Sequence, residues 1–167
     1  MRYIADTTEF QIEEPTIVTL GKFDGRHRGH QKLLRTMMEL KAGTGYPTAI
    51  FTFGTAPGTA VTGQPQTRHM EPEAFVRDIL AGRMHAREIV VGPDCSFGYK
   101  GAGSAALLLA MAHDLGYRLH VIEKEKDHRR DISSTYIREE LEKGNVEKAN
   151  QLLGQPYAIH GEVVHGN

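Results

Sequence analysis

One cysteine, Cys95, is all that these 167 residues contain. An intrachain disulfide is excluded, and so is a metal site of the paired Cys-x-x-Cys kind. An excess of charge of one sign is lacking too. Lys and Arg number 20 against 21 Asp and Glu, so no net field would hold a nucleic-acid backbone or an anionic membrane. No apolar run is long enough to cross a bilayer, and the mixed, polar residues 1–11 lack the apolar centre of a signal peptide. Internal repeats are absent. What remains is the composition of an ordinary globular protein, 40% hydrophobic and 25% charged, with length enough for one domain and its own core. A cytoplasmic protein that recognises its partners locally is expected.

Strand and helix signals alternate along the chain. Residues 16–20, 48–53, 88–91 and 118–122 read as strands, continuously apolar rather than alternating. Between them, residues 31–41 carry Leu33, Leu34, Met37, Met38 and Leu40 at helical spacing, with Gly43 as the stop. Residues 71–80 and 104–115 also read as helices, the former with Pro72 in its permitted first turn. Ser133 or Ser134 can cap a helix reaching Lys143, and residues 145–152 form another. Residues 157–165 alternate like a strand. Strands apolar on both faces, separated by helices, predict an α/β fold with a parallel sheet covered on both sides. Ligands in such folds bind past the carboxyl ends of the strands. Residues 54–69 form an unusually long Gly-, Pro- and Thr-rich loop, and residues 123–131 a charged one that reads as a solvated face, with Arg129 and Arg130 within reach of a triphosphate.

The first strand runs into Gly21-Lys22-Phe23-Asp24-Gly25-Arg26-His27-Arg28-Gly29-His30 and then into a helix. A helix start offers unpaired N–H groups and partial positive charge to an anion. His27 and His30 can add donors to the same phosphate, with Gly29 keeping the backbone open between them. Two His at a spacing of three, with no carboxylate arranged nearby, are a weak metal set, and no metal ligands are assigned. A second element, Ile132-Ser133-Ser134-Thr135-Tyr136-Ile137-Arg138, puts hydroxyls and a guanidinium on the first turns of a helix. Alone it would be a helix cap; beside the His-bearing turn it suits a phosphate. The third, Gly92-Pro93-Asp94-Cys95-Ser96-Phe97-Gly98-Tyr99, follows the third strand. Asp94 could accept a hydrogen bond from a ring, and Phe97 or Tyr99 could pack on a flat ligand. Cys95, with no base adjacent, reads as a packing residue.

These stretches, in this order, resemble the prokaryotic FAD synthetases, the bifunctional riboflavin kinase/FMN adenylyltransferases. The family's Gly-x-Phe-Asp-Gly-x-His-x-Gly-His turn is matched from Gly21 to His30. Its Thr-Phe strand end with a following Pro is matched by Thr52, Phe53 and Pro57. Its Gly-x-Asp-x-x-Phe-Gly loop corresponds to Gly92, Asp94, Phe97 and Gly98, and its Ile-Ser-Ser-Thr-x-Ile-Arg to residues 132–138. The resemblance implies a Rossmann-like nucleotidyltransferase fold over residues 1–155 that transfers AMP from ATP to FMN, giving FAD and pyrophosphate. It implies ATP at Gly21, Phe23, Asp24, Gly25, His27, His30, Ser133, Ser134, Thr135 and Arg138, with His27, His30 and Arg138 acting on the transferring phosphate. FMN would lie at Pro57, Asp94, Phe97 and Gly98, and Mg²⁺ would accompany ATP.

The chain departs from the family pattern in four places. Lys22 replaces an Asn, Gly54 replaces an acidic residue, and Cys95-Ser96 replaces an aromatic-plus-basic pair. One helix–strand unit is also missing after residue 67, which leaves an exposed sheet edge. Residues 156–167 resemble the start of a riboflavin kinase module, the covalent partner that the family implies, and no kinase activity is expected of these residues alone. Two other readings stay open: another His-x-Gly-His nucleotidyltransferase, such as the pantetheine-phosphate type, and a non-catalytic nucleotide- or flavin-binding remnant.

Overall fold

The computed structural model describes residues 4, 9–21, 23, 27–52, 61–62, 67 and 69–158. Strands β1 (Thr16–Gly21), β2 (Thr48–Thr52), β3 (Val61–Thr62), β4 (Ala86–Val91) and β5 (Arg118–Val121) form one sheet in the order β3-β2-β1-β4-β5. Every neighbouring pair is parallel. Parallel neighbours require crossover connections, and helices lie in those from β1 to β2 and from β4 to β5. α1 (Arg28–Thr44) lies between β1 and β2, and α3 (Ala105–Leu115) between β4 and β5. α2, ahead of β4, opens with the turn Pro72–Ala74 and continues as a π-helix, Phe75–Arg83. Its wider spacing shows where the Met84 N–H donates to the Ile79 carbonyl at 2.8 Å. A ribbon of β6 (Lys126–Asp127) and β7 (Arg130–Asp131) leads into α4 (Ser134–Glu142) and α5 (Val146–Leu153).

Successive residues of a strand point to opposite faces, so apolar runs bury both sides of the sheet. On one side Val18, Leu20, Ile89 and Val91 meet Phe75, Ile79 and Leu80 of α2 and Leu108 of α3. On the other, Ile17 and Val90 meet Leu33, Leu34 and Met37 of α1. A smaller core joins Ile132, Tyr136 and Ile137 to Ala149, Leu152 and Leu153. Gln31 ties that unit to α1, its Nε2 donating to the Leu153 carbonyl at 2.8 Å. The expected α/β architecture with helices on both faces is the one observed.

Several details differ from the sequence reading. α1 runs through Gly43 and stops at Gly45, which takes a left-handed φ of 76° while its N–H donates to the Lys41 carbonyl. A side chain at Gly43 would meet nothing within 4 Å, so that glycine is simply an exposed helical residue. β2 ends at Thr52, and Phe53 lies outside the described residues. Tyr157 is in no strand, its N–H donating to Asn150 Oδ1 at 2.6 Å, and residues 159–167 lie outside the description. Near the place where a helix–strand unit is expected to be missing, Val61–Thr62 are the described residues of the edge strand β3, and 53–60 and 63–66 lie outside the described residues.

The strands are not wholly apolar either. Glu88 of β4 is 1% exposed and accepts hydrogen bonds from Arg118 Nε at 2.9 Å and His120 Nε2 at 2.7 Å, both on β5. Burial alone would push its carboxyl up, but the bonds from Arg118 and His120 outweigh that and hold it below the usual range. Thr19 and Thr52 are also buried, and among the described residues neither hydroxyl has a hydrogen-bond partner.

Candidate functional site

At the carboxyl ends of β1, β4 and β5 the sheet opens into a cavity of about 590 Å³, bounded by Leu20, Gly21, Gly92 and Ile122. That is the size of a small-molecule site. From β1 the chain builds outward through β2 and β3, then returns to place β4 on β1's other side. The order thus reverses between β1 and β4, where open α/β sheets bind ligands.

His27 is the N-cap of α1, with φ −67° and ψ 167°, and its Nδ1 accepts from the His30 N–H at 3.4 Å. An accepting Nδ1 leaves the proton of a neutral ring on Nε2, which makes Nε2–H the donor available to a ligand. The side chain is buried, and burial together with the neighbouring His30 pushes its pKa down to about 4. His27 is therefore uncharged at neutral pH and can offer a hydrogen-bond donor rather than a cation. The two imidazoles stack with centroids 3.8 Å apart, and Phe23 leans on His30 at 4.8 Å. A Cβ at position 29 would come within 3.1 Å of His27 Cε1 and Nδ1, so the glycine is what lets the ring lie over the turn. Gly21, Phe23, His27, Gly29 and His30 all line the cavity. Asp24 and Gly25 lie outside the described residues.

Ser133, not Ser134, caps α4, accepting from the Tyr136 N–H at 3.2 Å. It lines the cavity with Ile132, so the capping and the site readings both hold for it. Ser134 is half-buried, and Thr135 and Arg138 are exposed farther along α4, outside the lining.

The loop after β4 brings Asp94, Cys95, Ser96, Phe97 and Gly98 to the opposite wall. Phe97 is largely committed to the core: it is 2% exposed, its ring centroid lies 5.5 Å from that of Phe75, and it pairs with Gly103. Gly98, at φ 70°, packs against Pro72, where a Cβ would fall 2.9 Å from both Cα and Cγ. Tyr99 lies outside the lining, 6.0 Å from the His69 ring. The Cys95 thiol is pushed up to about 11 by burial and by Asp94, which leaves it protonated and in its packing role. Pro57 falls outside the described residues.

Of residues 123–131, read as a solvated face, 126 and 128–130 are exposed as expected, while the first three also form part of the cavity wall. Glu123, Lys124 and Glu125 line the cavity. Lys32 Nζ donates to the Glu123 carbonyl at 3.0 Å, Lys124 contacts Asp94 and Asp131, and Glu125 lies 4.0 Å from Arg28. Arg130 is turned to Glu139 at 2.6 Å and over the Tyr136 ring at 3.9 Å, and neither it nor Arg129 lines the cavity.

A family model described as FAD synthetase matches residues 9–70 and 64–136, well over half of the chain. The chain belongs to the FAD synthetase family. A bifunctional riboflavin kinase/FMN adenylyltransferase of Listeria monocytogenes is 29% identical, the alignment covering 96% of this chain and 60% of that protein. One of Bacillus subtilis is also 29% identical, over 91% of this chain and 57% of its own length. The chain thus spans about 60% of the length of these curated relatives. A crystal structure of a protein from Streptococcus pneumoniae, described as a macrolide-efflux protein, superposes with a TM-score of 0.84 at 26% identity, covering 99% of this chain and 64% of that one. No helix among the described residues is long and apolar enough to cross a membrane.

Family membership bears on the missing unit. The two matched segments overlap at residues 64–70, where the resemblance leads one to expect a missing helix–strand unit. The Listeria alignment runs over 192 residues, more than the 167 present here, so the relative carries residues with no counterpart in this FAD synthetase family member. Of the other departures, Cys95 and Ser96 face the cavity, while Lys22 and Gly54 fall outside the described residues. Lys124 and its acidic neighbours line the cavity although composition reads them as solvated. Their position directly after a strand that ends at the ligand edge of the sheet was the signal that could have found them.

Proposed function

We propose that residues 1–155 are an FMN adenylyltransferase module, joining the AMP part of ATP to FMN with release of pyrophosphate. The carrying observation is the turn at the start of α1, where a neutral His27, His30 and the N-terminal end of a 17-residue helix meet at a cavity of substrate size. An FMN phosphate oxygen attacks the α-phosphorus of ATP, and the bond from that phosphorus to the bridging oxygen of pyrophosphate breaks. Negative charge grows on the α-phosphate oxygens as this happens. Donors already fixed at that place lower the barrier, and each is worth about a hundred- to a thousand-fold in rate. No protein nucleophile is needed. Gly21, Phe23, His27, His30 and Ser133 would hold ATP, with Ser134, Thr135 and Arg138 gripping it from the first turns of α4. Asp94, Phe97 and Gly98 would place FMN.

Mg²⁺ enters this reading as part of the ATP substrate. Among the described residues no group of three or more His, Cys, Asp or Glu is arranged to hold an ion, and Asp94 and Asp131 are both engaged by Lys124. A hard cation of this kind is carried on phosphate oxygens with few protein ligands. A riboflavin kinase module, named in both relatives, would be the covalent partner supplying FMN, beginning near residue 156. The free Cys95 thiol suits a reducing compartment such as the cytoplasm.

The test is incubation of the protein with ATP, Mg²⁺ and FMN, following FAD and pyrophosphate by chromatography. His30→Ala should lower the rate at least about a hundred-fold with the melting temperature unchanged. An unaltered rate would remove His30 from the mechanism. The residues of the Listeria relative that have no counterpart here favour one rival, a remnant that binds nucleotide without turnover. That rival predicts stabilisation by ATP and no FAD.

A further inference from the structure

Lys124 stands on the cavity wall with its Nζ 2.9 Å from Asp94 Oδ2 and 3.2 Å from Asp131 Oδ2. Among the described residues lining the cavity it is the one Lys or Arg. His27 does not substitute for it, because its ring is neutral at physiological pH. Nearby cations are engaged elsewhere: Arg28 faces Glu125, Lys32 the Glu123 carbonyl, and Arg130 Glu139. The rest of this wall is acidic, with Asp94, Glu123 and Glu125 in the lining and Asp131 beside it. A polyanion entering here would meet several carboxylates, and like charges brought this close repel strongly enough to matter for affinity. The Lys124 ammonium offsets that repulsion.

Lys124 is held but not locked. Its three anchoring segments, the loops after β4 and β5 and the end of β7, fix the Nζ at the cavity wall. Yet the side chains of Lys124, Asp94 and Asp131 are 35%, 67% and 42% exposed, so each ion pair is weak and readily exchanged. An ammonium has three donors and can keep one carboxylate while turning another toward a ligand.

We propose that Lys124 is a substrate-binding residue that grips a phosphate group in this cavity, giving up its contact with Asp131 to do so. The inference rests on the nucleotidyltransferase reading above. The phosphate is that of the nucleotide or that of the flavin; both present the same oxygens to an ammonium, and separate titrations distinguish them.

The experiment is calorimetric titration of MgATP and, separately, FMN into the wild type, Lys124→Met, Lys124→Arg and Asp131→Asn, at low and high NaCl, with a melting curve for each variant. Lys124→Met should weaken the ligand whose phosphate it grips about tenfold or more, the usual worth of a charge-assisted hydrogen bond. Lys124→Arg should retain most of the affinity. Asp131→Asn should tighten binding, since it frees the ammonium and removes a negative charge. Both effects should shrink at high salt. A lysine that merely braces the wall predicts the opposite sign for Asp131→Asn, because losing either partner would loosen the same brace. Weaker binding in Asp131→Asn, or Lys124→Met affinities within about twofold of wild type for both ligands, would overturn the proposal while leaving the adenylyltransferase reading intact. Should Lys124→Met fail to fold, the sign of the Asp131→Asn effect decides alone. A wild type that binds neither ligand would overturn both.

Discussion

Acid should destabilise this protein through His27, and the structure sets the size of the effect. The imidazole is buried at the start of α1 with Nδ1 accepting from His30, and its pKa lies at about 4 against an ordinary value of 6.5. The unfolded chain therefore binds a proton at this ring between pH 6.5 and about 4, while the folded chain does not. Where the unfolded state binds more protons, stability rises with pH, so the contribution is complete above pH 6.5 and is lost as pH falls toward 4. At about 1.4 kcal/mol per unit the full shift would amount to about 3 kcal/mol, and solvent reaching part of the ring reduces this to about 2 kcal/mol. His27→Gln keeps an acceptor for the His30 N–H and removes the titration. Melting curves of both proteins across the range should converge toward acid, the wild type losing about 4–8 °C more than the variant. Carboxylates titrate in both proteins and cancel in the difference. Parallel curves would mean that the ring is not desolvated as described.

Three further outcomes concern stability. Thr19→Val replaces a buried hydroxyl without a described partner by a methyl group of the same shape, and should raise denaturant stability by about 1 kcal/mol; a loss of that size would reveal a hidden partner. Gly98→Ala places a Cβ 2.9 Å from Pro72 at a φ of 70° and should cost about 2 kcal/mol or more, seen in the midpoint of urea unfolding. Glu88→Gln should cost about 1–2 kcal/mol at neutral pH. Its folded carboxyl is held below the usual range by Arg118 and His120, so that cost should vanish as acid protonates the wild-type carboxylate. A cost independent of pH would assign it to packing instead.

The family was readable in advance because its signals are local. A strand running into a Gly- and His-bearing turn, and a Ser-rich helix start, depend on backbone conformations and helix ends that a few neighbouring residues specify. Both motifs reach the same cavity, through His27, His30 and Ser133. The alternation of strands and helices likewise follows from side-chain period alone, which is why it points to a parallel sheet without reference to any contact.

Tertiary structure decided what depends on distant partners. Residues 123–131 look solvated by composition, but Lys124 meets Asp94 only because β5 lies beside β4 and delivers both loops to the same edge. Glu88 interrupts an apolar strand that the sequence could place but not account for; its partners Arg118 and His120 are supplied across the β4–β5 pairing. Phe97, expected at a ligand, turns largely into the core against Phe75 because Gly103 leaves room for its ring. Even the protonation of His27 is a tertiary fact: residue type gives an imidazole near 6.5, partly charged at neutral pH, and burial beside His30 keeps it neutral well into acid. Sequence fixes which groups are present and how the local chain turns, because those energies act over a few residues. Burial and cross-strand proximity set charge and role, because they arise only when segments far apart in the chain pack together.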